Sequence, residues 1–178
     1  MKQITYQHNT IKARLERQYA ASKYIHFLFE GKRILNIDES VLRRTEHRKK
    51  SWMPRKVSNL QTNSLRLLNF NLIAAVSNRN EFFFQANRGM TNSKTFSLFL
   101  LRLVKELTIR EPNWREHTVI MLDNASYHRS AFVKRKLSDL GVPTLYLGPY
   151  HFKMAPVEMF FSHIKARNLN FMQTRANT

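Results

Sequence analysis

With 178 residues, of which 43% are hydrophobic, the chain is long enough for one domain with a core and is not a disordered protein. Lys and Arg total 30 against 12 acidic residues, and the net charge of +18 favours a nucleic-acid partner, although basic ribosomal-type proteins share it. The chain lacks cysteine, which excludes disulfides and thiolate metal sites, and no apolar run approaches the ~20 residues that span a bilayer, which excludes a membrane partner.

The first half of the chain predicts one helix and three strands. Residues 10–30 are expected to form a helix, and the strand-like runs are 33–39, 65–77 and 81–86. Apolar residues recur along the helix with helical spacing, namely Ile11, Leu15, Tyr19, Ile25 and Leu28. A basic segment, 43–56, separates the first two strands and is expected to be a loop or a hairpin.

The second half predicts helices that alternate with strands. Helices are expected over 91–107, 129–140 and 156–168, and strands over 119–122 and 144–147. The whole order predicts an α/β fold with a five-stranded mixed sheet flanked by helices. The sheet would begin as a three-strand antiparallel meander and end with two parallel strands.

The fourth strand returns after a helical crossover, so it is expected to lie parallel to an earlier strand. If its neighbour is the first strand, Asp38 and Asp123 lie side by side at two strand ends, where ligand sites of mixed sheets gather. We divide the chain into an N-terminal helical linker segment, 1–30, and the main domain, 31–178.

The few acidic residues are informative because there are only three aspartates. Asp139 lies on the polar side of a basic helix, as an ion-pairing residue would. Asp38 and Asp123 each follow an apolar strand run, where a carboxylate is costly unless a cation or a metal ion pairs with it. Either aspartate alone is explained as a turn or helix cap, but two in equivalent places favour a shared cation.

Glu158 lies on the edge of the apolar stripe of the last helix and can reach toward the strand ends. By itself it is explained as a favourable negative charge in a first helical turn. Together with Asp38 and Asp123 it completes a set of oxygen ligands that suits Mg²⁺ or Mn²⁺. Two such ions beneath a basic surface are what cleavage of a nucleic-acid backbone requires.

Three segments resemble the signature blocks of mariner-superfamily DDE transposases. They are Asn36-Ile37-Asp38-Glu39-Ser40, then the run 119–125 with His128, and Pro156-Val157-Glu158. Asp123 and Glu158 stand 35 positions apart, a spacing typical of the branch whose third acid is glutamate. The resemblance extends over roughly residues 10–170 and includes Ser51-Trp52 and the segment 145–150.

The resemblance implies a ribonuclease-H-like fold and a metal-dependent endonuclease. Asp38 would bridge two metal ions, Mg²⁺ or Mn²⁺, and Asp123 and Glu158 would each complete one site. Such enzymes hydrolyse phosphodiesters at transposon ends and then join the freed 3′-hydroxyl to target DNA. Asn124 and His128 match the motif as supporting residues, and His128 either orients the site or a phosphate, or serves as a purely structural cap.

The same resemblance implies the partners. They would be double-stranded DNA and a second copy of the chain on that DNA, with no small-molecule substrate. The compartment would be the nucleus in a eukaryotic cell and otherwise the cytoplasm or nucleoid. The candidate DNA-contacting residues are the basic run after the first acid and one lysine of the last helix: Arg43, Arg44, Arg48, Lys49, Lys50 and Lys165. Such a run is also typical of a solvated loop.

The sequence departs from the family pattern in two ways. Ala155 stands before the Pro-x-Glu element, where its methyl group cannot cap a helix, so Glu158 is expected to be held less firmly. The chain is also expected to be truncated at both ends relative to full-length relatives, without their helix-turn-helix region. No metal-ligand spacing is found at His47, His117, His151 or His163.

Two other functions stay open at this point. The first is an inactive DNA-binding remnant or a domesticated transposase that keeps the fold and the charge without turnover. The second is a related ribonuclease-H-like nuclease, such as a ribonuclease H or a junction resolvase.

Overall fold

The computed structural model of the chain describes residues 10–42, 70–149, 151 and 154–166. Within these ranges no helix is both long enough and apolar enough to cross a membrane. The described residues form four α-helices and five strands, in chain order α1 (Ile11–Phe29), β1 (Arg33–Leu42), β2 (Phe70–Ser77), β3 (Phe82–Arg88), α2 (Ser93–Arg110), β4 (Thr118–Leu122), α3 (Ala131–Asp139), β5 (Thr144–Tyr146) and α4 (Pro156–Ala166). A short 3-10 helix, Trp114–His117, precedes β4.

The five strands form one sheet in the order β3-β2-β1-β4-β5. β1 pairs with β2, and β2 with β3, in antiparallel fashion, whereas β4 lies parallel to both β1 and β5. The expected mixed sheet is therefore confirmed, including the antiparallel meander and the two parallel strands. The helical crossover between β3 and β4 returns the chain to the centre of the sheet, next to β1.

Alternation along the strands gives the sheet two apolar faces. Leu35 and Ile37 of β1 pack on the face covered by α2 and α3, and Ile34 packs on the face covered by α1 and α4. In the edge strand β3 only Phe83 of the run 82–84 is buried. The run therefore contributes only its middle residue to the core.

α1 forms as expected, but its apolar stripe faces away from the sheet. Ile11 is 78% exposed and Leu15 is 59% exposed, whereas Ala20 is 1% exposed. The helix packs through small residues, which let it approach the sheet closely. A Cβ on Gly148 would lie 2.8 Å from the backbone nitrogen of Arg17, so only glycine allows this approach.

Arg33 is the first residue of β1 and holds that end of the strand in place. Its side chain is 4% exposed, and Nη1 lies 3.2 Å from Glu81 Oε1. Nη2 lies 3.0 Å from Glu111 Oε2, and Nε donates to Thr118 Oγ1 at 3.0 Å. One guanidinium therefore ties β1 to the β2–β3 turn, the end of α2 and the start of β4.

We expect Arg33→Met to lower the free energy of unfolding by about 3 kcal/mol, because it leaves two carboxylates without their buried partner. Urea unfolding measures the change. The matched control is Arg110→Met, since Arg110 pairs with Glu106 where both side chains are more than half exposed, and it should cost about 1 kcal/mol or less. Equal losses in the two variants would contradict the structural role assigned to Arg33.

Candidate active site

Parallel pairing of β1 with β4 brings the two candidate aspartates together. Ile37 is the partner of Leu122 in this pairing, so Asp38 lies beside Asp123, which follows the last residue of β4. The expectation of two strand ends is right for Asp123 but wrong for Asp38, because β1 continues to Leu42 through its pairing with β2. Glu158 comes from the first turn of α4, which packs on β1 and β2. The three carboxylates line one cavity of about 250 Å³, here called the carboxylate pocket, together with Asn124, Leu147, Gly148, His151 and Ala155.

Asn36 holds the start of α4. It lies in β1, two residues before Asp38. Asn36 Oδ1 accepts from the backbone nitrogen of Val157 at 3.1 Å, and Nδ2 donates to Met121 O at 3.4 Å. Asn36 is 2% exposed, so these bonds are shielded from water. Ala155 does lack a capping side chain, as the sequence indicates, but Asn36 supplies the missing acceptor from 121 positions away. The inference that Glu158 is held less firmly is therefore not supported by the packing of α4.

Asp38 lies where a negative charge is unfavourable, because its side chain is largely buried and other carboxylates are near. Its Oδ1 accepts from the backbone nitrogen of Glu39 at 2.8 Å. Burial, together with the negative charges of Asp123, Glu39 and Glu158, raises the pKa of Asp38 to about 7, against the lowering effect of that hydrogen bond. Burial and repulsion from the neighbouring carboxylates thus disfavour the ionised form of Asp38.

Asp123 is held differently. Burial alone would raise its pKa, but hydrogen bonds from His128 Nδ1 at 2.7 Å and from the backbone nitrogen of Ala125 at 2.9 Å lower it. Both bonds end on Oδ1. Its side chain is 46% exposed, so the carboxylate remains accessible from the pocket.

His128 is fully buried between two carboxylates. Its Nε2 lies 3.3 Å from Glu39 Oε1, and the Tyr127 hydroxyl donates to the other oxygen of Glu39. Burial would lower the pKa of His128, but the contacts with Asp123 and Glu39 raise it to about 9. Sequence reasoning missed Glu39 and Tyr127, because no local pattern marks a contact between residues 88 positions apart.

The other candidate residues are distributed unevenly. Asn124 lines the carboxylate pocket, and its Oδ1 is buried without a hydrogen-bond partner among the described residues. His151, which shows no ligand spacing in the sequence, lines the same pocket. Lys165 is half-buried in the last turn of α4. The basic run from Arg43 to Lys50 lies outside the described residues.

The carboxylates share a pocket without forming a compact cluster. Across the described ranges, no three His, Asp or Glu side chains are grouped so that they could hold a metal ion as they stand. Glu158 itself is exposed to solvent where it lines the pocket. The site therefore places its three acids along one cavity but does not hold them as a ready-made set of metal ligands.

The family model of the DDE superfamily endonucleases matches residues 33–177. No curated protein matches the chain. The matched range contains all three carboxylates of the pocket and the whole sheet.

Several solved structures of the Mos1 transposase are similar to the chain. The Mos1 mariner paired end complex with Mn has 18% identity and a TM-score of 0.70, covering 94% of this chain and 54% of that chain. The Mos1 Strand Transfer Complex has 19% identity and a TM-score of 0.63, covering 89% of this chain and 49% of that chain. The Mos1 transposase catalytic domain with Raltegravir and Mg has 17% identity and a TM-score of 0.62, covering 89% and 76%.

The chain spans about half the length of the first two of these proteins. At this level of identity the similarity shows the fold, and the ribonuclease-H-like fold expected from the sequence is confirmed.

We expect Asp38→Asn to stabilise the metal-free protein at pH 8. Unfolded Asp38 ionises near 3.8 whereas folded Asp38 ionises near 7, so wild-type stability falls as the pH rises between these values. Above that window the substitution should raise the free energy of unfolding by an amount on the order of 3 kcal/mol. Urea unfolding with a chelator at pH 5 and pH 8 tests this. Asp139→Asn, on the exposed side of α3, is the control and should change little.

We expect Asn36→Ala to release the first turn of α4. The backbone nitrogen of Val157 loses its acceptor in a buried position, which should cost about 1–3 kcal/mol and speed hydrogen exchange at that amide. Asn92→Ala removes the cap of α2 and is the matched control. It should lower stability without a selective effect on the Val157 amide; equal exchange at Val157 in both variants would argue against a specific role of Asn36.

Proposed function

The chain belongs to the DDE superfamily endonucleases, and from this membership we propose that it is the catalytic domain of a DNA transposase. In this proposal it hydrolyses phosphodiesters at transposon ends and joins the resulting 3′-hydroxyl to target DNA. The observation that supports it most directly is the meeting of Asp38, Asp123 and Glu158 in one pocket, at the three positions that match the family motif.

The donor set of the pocket fits divalent metal ions. Its three acids offer only oxygen, which Mg²⁺ and Mn²⁺ prefer over the nitrogen and sulfur favoured by zinc. Repulsion among the carboxylates contributes to the raised pKa of Asp38, and a bound cation would relieve it. We propose Asp38 as the ligand shared by two ions, with Asp123 and Glu158 each completing one site. Some of the similar Mos1 structures contain Mg or Mn.

Bound ions would activate the attacking water or 3′-hydroxyl and stabilise the leaving oxygen. The protein's own residues prepare for this step by orientation. Hydrogen bonds fix Oδ1 of Asp123 and Oδ1 of Asp38, and the described residues give no hydrogen bond to the second oxygen of either side chain. Asn36 holds the turn that carries Glu158.

The proposed partners are double-stranded DNA and a second copy of the chain bound to the same DNA. The net charge of +18 supports DNA binding through the phosphate backbone. Lys165, at the end of the helix that carries Glu158, is a candidate phosphate contact, as is the basic run from Arg43 to Lys50. In a eukaryotic cell such a protein would act in the nucleus, and otherwise in the cytoplasm or at the nucleoid.

We expect the chain to nick plasmid DNA when Mg²⁺ or Mn²⁺ is present and to be inactive with a chelator. Asp123→Asn should reduce nicking to the level without metal, because it removes a charged ligand, whereas Asp139→Asn should leave it unchanged. Gel separation of nicked and supercoiled plasmid measures the reaction. Wild-type protein that is no more active than Asp123→Asn would refute the enzymatic function.

Preferred cleavage of RNA–DNA hybrids or four-way junctions would instead identify a different nuclease of the same fold.

A further inference from the structure

Glu39 follows Asp38 in the sequence but lies on the other face of the sheet. Asp38 shares the face of Asn36 and α4, whereas Glu39 shares the face of Ile37, which α2 and α3 cover. Glu39 therefore does not line the carboxylate pocket. Its position next to Asp38 in the chain does not make it a further ligand of that pocket.

His128 connects the two faces at the end of β4. One ring nitrogen lies 2.7 Å from Asp123 Oδ1, on the side of the pocket, and the other lies 3.3 Å from Glu39 Oε1. The two ring nitrogens thus face carboxylate oxygens on opposite sides of the ring, and His128 bridges Asp123 and Glu39. Asp123, His128 and Glu39 form a continuous line of hydrogen bonds.

Each member of this line is fixed from outside. The Tyr127 hydroxyl donates to the second oxygen of Glu39, and the His128 ring packs against Phe96 in a tilted arrangement with centroids 4.4 Å apart. The side chain of Glu39 is 11% exposed and that of His128 is 0% exposed. A carboxylate so deeply placed is costly unless it is hydrogen-bonded, and His128 and Tyr127 are its partners.

We propose that Glu39 is a positioning residue of the metal site, which acts through His128 to fix the carboxylate of Asp123. With Oδ1 held by His128 and by the backbone nitrogen of Ala125, Oδ2 is the oxygen left for a metal ion. This inference rests on the proposed function, because it takes Asp123 to be a metal ligand. Loss of such an outer partner typically weakens metal binding about 10- to 100-fold.

The test is Mn²⁺ binding to the whole chain, measured from the electron paramagnetic resonance signal of free Mn²⁺. Glu39→Gln keeps the size of the side chain and removes its charge, and it should weaken Mn²⁺ binding about 10- to 100-fold. Glu106→Gln is the matched control. Its side chain is 55% exposed on α2 and pairs with Arg110, so its affinity for Mn²⁺ should equal that of the wild type.

Thermal unfolding without metal separates positioning from stability. A residue with a purely structural role would lower the unfolding temperature and leave the Mn²⁺ affinity of the folded protein unchanged. That result for Glu39→Gln would overturn the inference. Should this variant fail to fold, Tyr127→Phe takes its place, because it removes only the donor to Glu39; about tenfold weaker binding supports the inference and unchanged binding overturns it.

Asp123→Asn distinguishes failure of this inference from failure of the proposed function. If the wild type binds Mn²⁺ no better than Asp123→Asn, the metal site itself is refuted and the inference falls with it. If the wild type binds Mn²⁺, Asp123→Asn does not, and Glu39→Gln equals the wild type, the site stands and only the role of Glu39 is refuted.

Discussion

The parallel pairing of β1 with β4 is the constraint on which the site depends. A shift of one residue in this register would turn every side chain of one strand to the opposite face. The register is fixed by buried apolar residues on both faces and, at the far end, by Arg33, which reaches Thr118 at the start of β4. Only with this register do the side chains of Asp38 and Asp123 lie on the same face and line the same pocket.

Buried polar side chains connect the strand pair to neighbouring segments of the chain. Asn36 links β1 to β4 and to the first turn of α4, so the strand pair and the helix with the third acid are aligned by one amide. His128, in the segment between β4 and α3, connects Asp123 with Glu39. These groups are buried and satisfied, which makes a polar network specific to one arrangement.

Much of this architecture is predictable from the sequence, and the failures have a common cause. Apolar runs and helical spacing locate the strands and helices, and the crossover after β3 predicts the parallel neighbour. The apolar spacing of α1 correctly predicts a helix, but such a period does not indicate which face of the helix packs on the sheet. The roles of Asn36 and Glu39 escape prediction because each depends on a contact with a residue about a hundred positions away.

The separation of Arg33 and Asp38 along β1 has an evolutionary consequence. Arg33 serves folding, whereas Asp38 is a desolvated carboxylate among other carboxylates, which works against it. Selection for a stable fold alone would therefore tolerate or even favour replacement of the acid while retaining the arginine. In lineages where the chemistry is no longer needed, the acidic pocket should erode first and the sheet should persist as a basic scaffold.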